Sequence, residues 1–454
     1  MSSNINFTDR IGTAPIGKLL FDFSIPAIIG MLVNALYAIV DRIYVGQGVD
    51  PLGIAAISLV MPVMMILMAA SMLIGVGANS LFSIRLGEGR RNEVEKIMGH
   101  AFALLFIVPG IITAACLFFL DEILIHFLKA SEAVFPYAKN YLEIILYGAV
   151  FGAVGPGINN FIRSDGHPRT SMFTQILGAV INIILDPIFI FVFDWGIAGA
   201  AWATIISQFI SFVWVVFYFN SGMTKLRFKI KYMKLELHIS FLIMSLGFAP
   251  FAMQSAISFV NILLNRALNN YGGDVAVTAM GVVYSILILI FMPLQGLNQG
   301  AQPIIGYNYG AKKIDRVKKT YKMSVLWATI FSVSGFLLLQ IFPEFFISVF
   351  KIPEDSPLMN MSVFCLRVST LLMPFWGFQI ITSNYFQAVG KPVQGTLLSL
   401  SRQIIFYIPI LSILPRFFDI DGVFFAMPCA DILSAVLSLC VMLRELKNLR
   451  YKKA

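Results

Sequence analysis

Two acids stand inside stretches that are otherwise apolar. Asp41 lies in SIPAIIGMLVNALYAIVDRIYVG (24–46), and Asp186 lies in TQILGAVINIILDPIFIF (174–191). A carboxylate within a membrane-length helix is expensive to bury, so it faces a cavity or a partner and marks an ion or proton path. Asn34, Tyr37 and Asp41 fall at i, i+3 and i+7 and share one helical face. Asn182 and Asp186 are four apart, and Gln175 and Gly178 continue their face. Counting about 1.5 Å of rise per residue from the cation-rich ends puts both acids in the outer half of the bilayer. Two carboxylates at similar depth can share a cavity, and at close range they behave as one coupled pair. Such a pair suits a site that exchanges a proton or a sodium ion for a cargo. The alternative is two separate acids, each satisfied locally.

Other polar positions extend the pattern. Thr204, Gln208 and Ser211 share a face and offer a hydroxyl and an amide for an oxygen cage, although polar residues also simply join helices. Met61, Met65, Met68 and Met72 form a stripe at i, i+4, i+7 and i+11. Soft side chains suit a cavity for varied apolar cargo, and equally suit packing. Gln254, Ser258, Asn261 and Asn265 form a polar stripe in the second half. Asp431 is a further intramembrane acid, with Arg402 or Arg367 as partner. A structural ion pair is the favoured account of it, and a cargo or proton role the other. Pro26 removes a helix hydrogen bond and supplies a hinge.

The elements that position these residues are long apolar helices. The chain of 454 residues is 58% hydrophobic and 13% charged, with mean hydropathy +0.82. Soluble domains carry about 25% charged residues. The fold class is therefore an all-α polytopic membrane protein, and long apolar runs exclude a β-barrel. Twelve segments can be read, at 18–45, 52–82, 94–120, 136–162, 168–192, 196–220, 238–267, 275–305, 318–342, 358–388, 393–415 and 420–443. No cleavable leader is expected, because the first apolar run is too long for one. Cys116, Cys365, Cys429 and Cys440 all fall in apolar runs and read as small buried hydrophobes.

Connections alternate in charge. Arg85, Arg90, Arg91 and Lys96, then Arg163 and Arg169, then Lys225, Arg227, Lys229, Lys231 and Lys234, then Lys312, Lys313, Arg316, Lys318 and Lys319 mark one side. Arg444, Lys447, Arg450, Lys452 and Lys453 close the chain on that side. The opposite loops carry Asp50, Asp121, Glu122, Asp194, Asp274, Glu354 and Asp421. The positive-inside rule then makes both termini cytoplasmic, and it accounts for the net charge of +9 without nucleic acid.

The chain also repeats at an offset of about 223 residues. Gly77 falls on Gly300, Ala78 on Ala301, Gly87 on Gly310 and Val94 on Val317. Gly166–His167–Pro168 falls on Gly390–Lys391–Pro392, and Gly199 on Gly422. Each half holds six spans, so the halves share one orientation about an axis along the membrane normal, and transporters place sites in or between such bundles. The expected divisions are 1–221, a linker 222–237, 238–446 and a basic tail 447–454. His100, His126, His167 and His238 are scattered, and there is no GxSxG, Walker loop or zinc motif, so no enzyme is expected.

The chain resembles the multidrug and toxic compound extrusion (MATE) family, in its DinF and MepA-like branch. The resemblance rests on Pro26 and Asp41, IRLGEGRRNEVEK, RSDGHPRTSM, NIILDPIFIF, GIAGAAWAT, QGLNQGAQPIIGYNYGAKK and GKP, in that order. It implies two six-helix lobes in a V, alternating access, and export of cationic amphipathic drugs in exchange for protons or sodium. It also implies an N-lobe cation site on Asp41, Asn182, Asp186 and Thr204. Acids of spans seven and ten used in the NorM branch are missing here, where span seven offers Gln254. No cofactor beyond the coupling ion is expected, and a monomer in the cytoplasmic membrane is. A flippase for lipids or lipid-linked precursors is the runner-up. It would want cations inside the spans, where few stand, mainly Arg266, Arg367 and Arg402.

Overall fold

The computed structural model describes residues 7–49, 51–353 and 356–451. Among the described residues every regular element is a helix. Eleven helices are long and apolar enough to cross a bilayer. One of them, Leu237–Gly310, has 74 residues and breaks at Gly273, where φ is 63° and ψ is −162°. A bilayer accommodates about 20 residues of helix, so this element is two spans and the described residues hold twelve. Glycine meets no Cβ penalty at that φ, and nothing lies within 4 Å of where its Cβ would be.

The first lobe holds Ile16–Gly48, Pro51–Gly87, Arg91–Phe118, Phe135–Ser164, Pro168–Val192 and Gly196–Asn220. The second holds the two arms of Leu237–Gly310, then Ile314–Ile341, Pro357–Ala388, Pro392–Ile413 and Pro415–Tyr451. Large apolar side chains such as Phe21 (66% exposed) and Ile111 (64%) cover the outside, as lipid contact requires. The chain is a multi-pass membrane protein.

Several helices depart from their expected limits. The connection drawn at 268–274 is helical up to Gly273, because a helix that projects beyond the bilayer keeps its own hydrogen bonds. Span twelve breaks at Asp419, φ 47°, before its apolar run begins. Span ten is interrupted by a 3-10 turn at Met373–Phe375. Spans five and eleven contain π-helical turns at Ile188–Val192 and Ser401–Tyr407. Asp50, Glu354, Lys452 and Lys453 lie outside the described residues.

The lobes close on each other towards the face that carries the basic loops. There a Cβ on Gly77 would come 2.0 Å from the Ile243 carbonyl oxygen, and one on Gly247 1.7 Å from that of Leu73. On the other side of the axis, a Cβ on Gly300 would come 2.7 Å from the Ser24 Cα, and one on Gly296 2.6 Å from that of Ile28. Pro26 is buried between those two contacts, and the span-one helix runs through it. At the axis itself spans two and eight cross. A Cβ on Gly87 would sit 1.9 Å from the Tyr307 carbonyl oxygen, and one on Gly310 2.0 Å from that of Ile84. Ile84 and Tyr307, like Gly87 and Gly310, are 223 apart, so the sequence repeat is a physical pseudo-twofold.

A buried polar cluster sits on that axis. Asn79 Nδ2 donates to Gln302 Oε1 at 3.3 Å, across 223 residues of sequence. Gln302 Nε2 donates to Ser80 Oγ at 3.0 Å, and Ser164 Oγ to Asn79 Oδ1 at 2.7 Å. A buried network of this kind is stabilising only when every member is satisfied. Asn79→Leu should leave Ser164 and Gln302 short of partners and destabilise the closed face by about 1–3 kcal/mol. A thermal melt of the purified protein in detergent checks it.

Each lobe's leading segment also ties to the other lobe. The short helix Phe7–Thr13 is held by Arg316, whose Nη2 donates to the Ala14 carbonyl at 2.7 Å, and by Lys313 Nζ on the Gly12 carbonyl at 2.8 Å. The segment before span seven is held by Lys229–Glu95 (2.5 Å) and Lys96–Glu236 (2.7 Å). The Lys96 hydrogen bond pulls the Glu236 carboxyl below its ordinary value. That pair therefore holds at neutral pH and is lost only as pH falls through the lowered carboxylate value.

Candidate functional site

Span one and span five run side by side and bring Asp41 and Asp186 together. Their carboxyl groups lie within hydrogen-bonding reach of one another. Asp186 is 0% exposed and Asn182 1%, and Asp41 is partly buried. Asn182 Nδ2 donates to Asp186 Oδ1 at 3.3 Å and reaches Thr204 Oγ1, on span six, at 3.5 Å. Asp41 Oδ1, Asp186 Oδ2 and Asn182 Oδ1 are buried without any hydrogen-bond donor. An ionised carboxylate can only accept. Two of them face to face, with a third orphan oxygen beside them, therefore need a proton or a cation from elsewhere. Arg42, next along the chain, is exposed.

Two tyrosines belong to the surroundings. Tyr37, from the face read in the sequence, and Tyr141, from span four, both lie within electrostatic range of the two acids. Tyr141 is 5% exposed. It is the neighbour the sequence did not disclose, since nothing in YAKNYLEIILYG singles it out.

The remaining positions are spread more widely. Asn34 Nδ2 donates to Gln175 Oε1 at 3.1 Å, which ties span one to span five. Gly30 makes room there, since a Cβ would fall 2.7 Å from the Gln175 side-chain oxygen. Gln208 and Ser211 do not join the acids: they fill the spaces left by Gly152 and Gly178, each about 2.5 Å from where a Cβ would stand. Of the methionine stripe, Met65 meets the second lobe. Ser258 Oγ donates to Met65 Sδ at 3.2 Å and also meets the Gln254 carbonyl at 3.3 Å. Met61 is partly buried and Met68 is 51% exposed.

The second lobe holds a different cluster. Asp431, 1% exposed, accepts from Arg402 Nε on Oδ1 at 2.6 Å and from Trp376 Nε1 on Oδ2 at 2.7 Å. Arg367 is exposed on span ten, and its carbonyl accepts from Gln340 Nε2 at 2.7 Å. Of the two partners the sequence allowed for Asp431, the fold uses Arg402.

The MatE family model matches this chain twice, over residues 26–188 and 250–413, once in each lobe. The chain belongs to the MATE family. A MATE protein is a transporter and not an enzyme. The multidrug export protein MepA of Staphylococcus aureus (strain MRSA252) is 27% identical over 94% of each chain. MepA of Staphylococcus saprophyticus is 25% identical over 94% of this chain and 93% of its own. Among solved structures, an outward-facing multidrug resistance MATE family transporter of the MOP superfamily superposes with TM-score 0.92. It is 22% identical and covers 99% of both chains. A MOP superfamily transporter from Pyrococcus furiosus superposes with TM-score 0.91 at 22% identity, over 99% of this MATE chain and 100% of its own.

Proposed function

We propose that this MATE protein is a cation-coupled antiporter that exports cationic amphipathic compounds across the cytoplasmic membrane. Both termini and the basic loops lie on the cytoplasmic side, and the chain works as a monomer. The observation that carries the reading is the Asp41–Asp186 contact with its donorless oxygens. A proton or a sodium ion satisfies those oxygens, and so does the positive charge of a cargo. The ion and the cargo therefore compete, and the lobes respond through the helices that hold the acids. Coupling requires only that the ion bind the two access states unequally. The multidrug export function of the MepA relatives supports the cargo class.

Within this reading Asn182 and Thr204 complete the oxygen set, and Tyr37 and Tyr141 close it. The aligned polar and sulfur-bearing faces of Asn34, Gln175, Met61, Met65, Met68 and Gln254 belong to the cargo path. Pro26, buried between the two closest cross-lobe contacts of span one, is the hinge. A flippase for anionic headgroups would want free cations in the cavity. Arg266 and Arg367 are exposed and Arg402 is tied to Asp431.

Proteoliposomes loaded with ethidium, with proton and sodium gradients imposed separately, test the proposal. Efflux faster under at least one inward ion gradient than under none is expected. Equal efflux with and without every ion gradient would sink it. Thr204→Val, which removes one ligand oxygen, should weaken the driving ion's apparent affinity about 5- to 10-fold and leave maximal efflux nearly unchanged. Efflux rates measured against ion concentration check this.

A further inference from the structure

The second lobe places an acid and a base together in the membrane interior, and no step of the proposed exchange uses them. Asp431 stands on span twelve, Arg402 on span eleven and Trp376 on span ten. Both carboxylate oxygens of Asp431 are occupied, one by Arg402 Nε at 2.6 Å and one by the indole N–H of Trp376 at 2.7 Å. The guanidinium lies over the same indole, 5.0 Å from the ring centroid. Gln379 Nε2 donates to the Asp431 backbone carbonyl at 2.8 Å. Arg402 lies within the π-helical turn Ser401–Tyr407. Such a turn inserts a residue into the helix and re-aims its side chains, and π turns recur at functional sites. Tyr284 and Tyr407 are the other titratable groups within electrostatic range of the pair, and Cys365 lies beside those two tyrosines.

The contrast between lobes sharpens the point. In the first lobe the acids have oxygens with no donor, whereas in the second both oxygens of the acid are filled by the protein's own groups. The repeat also keeps the two clusters apart. Advancing by 223, or by 224 across span five where Pro168 falls on Pro392, carries Asp41 to Leu264, Asn182 to Phe406, Asp186 to Ile410 and Thr204 to Met427, all apolar. Going back by the same offsets carries Asp431 to Gln208 and Arg402 to Gly178. The second lobe has no counterpart of the ion site, yet it carries a buried carboxylate that a mobile cation would occupy if it stood alone.

We propose that Arg402 is a tethered cation that pre-empts a latent ion site at Asp431, so that ion coupling is confined to the first lobe. Arg402 is a positioning and specificity-determining residue. It takes the place a sodium ion or a proton would fill, and because it is covalently held it is never exchanged. The planar guanidinium suits this task, since it keeps its charge when buried and stacks on Trp376 while it binds the acid. This rests on the reading of Asp41 and Asp186 as the coupling site.

The test counts ions on the full-length protein in detergent, by calorimetric titration with sodium against a potassium control and by the infrared carbonyl band of a neutral carboxylic acid. The Asp41→Asn/Asp186→Asn chain should bind no sodium and show no such band from Asp431. Adding Arg402→Met to it should create one new cation equivalent, either as bound sodium or as a carboxylic acid band, and Asp431→Asn should remove that equivalent. Arg402→Lys should create none. A folded, monodisperse Arg402→Met chain that gains neither signal would overturn the proposal. So would an Asp431 signal while Arg402 is intact. If Arg402→Met does not yield monodisperse protein, Asp431→Asn alone decides: an unchanged ion count supports the tethered cation and a lower one overturns it. Failure of the first-lobe reading looks different, because Asp41→Asn/Asp186→Asn would then leave the ion count where it was.

Discussion

Asp41→Asn should abolish ion-driven efflux, with at least about a 10-fold loss in ethidium export from proteoliposomes under either ion gradient. The wild-type pair is unsatisfied because two acceptors face one another. An amide at position 41 supplies a donor to Asp186 at all times and removes one of the two negative charges. The site then has little reason to take up a proton or a sodium ion, and what it binds no longer differs between access states. Moving an equilibrium from 1:99 to 99:1 takes about 5.5 kcal/mol of differential binding, and one neutralised carboxylate removes much of it. Asp186→Asn should match Asp41→Asn. The double variant should be no worse than either single one, because the two groups act as a unit. Asp41→Glu should keep partial coupling. Undiminished gradient-dependent efflux in Asp41→Asn would refute the assignment.

A comparably large effect is expected far from the acids. Gly87→Ala places a methyl 1.9 Å from the Tyr307 carbonyl oxygen, and Gly310→Ala places one 2.0 Å from that of Ile84. Both atoms are backbone, so no side chain can swing aside, and spans two and eight must separate by more than 1 Å to restore an ordinary contact. Forced separation of this kind costs about 1–3 kcal/mol for each site, drawn entirely from the state in which the lobes meet at the basic face. The two substitutions push the same pair of helices apart, so their combined effect should fall short of the sum. Gly281→Ala is the control, since nothing lies within 4 Å of its Cβ position. Melting temperature and dye efflux report the outcome. Wild-type values in both Gly87→Ala and Gly310→Ala would show that the crossing does not hold the lobes together.

Much of this was legible in the residues because it depended on periodicity. The apolar runs announced the spans, and the offset of the repeat set Gly87 on Gly310. Asp41 and Asp186 could be matched by depth because rise per residue is constant. What stayed hidden depended on azimuth and on broken periods. The choice of Arg402 over Arg367 turns on which side of a span each residue faces, and the π turn at Ser401–Tyr407 shifts that face out of the regular count. Tyr141 reaches the acids from a third helix whose packing no spacing rule supplies. Gln208 and Ser211 looked like ligands by face, but the empty spaces at Gly152 and Gly178 absorb them.

The crossing of spans two and eight has one more consequence. A contact in which Gly87 meets Tyr307 while Gly310 meets Ile84 presents the same patch from both sides, which is how identical subunits pair in a two-fold dimer. A molecule half this long could close on a second copy of itself through that patch alone. The present chain therefore has the form of a homodimer joined into one polypeptide, with bare acids in one half and an acid paired to its own base in the other.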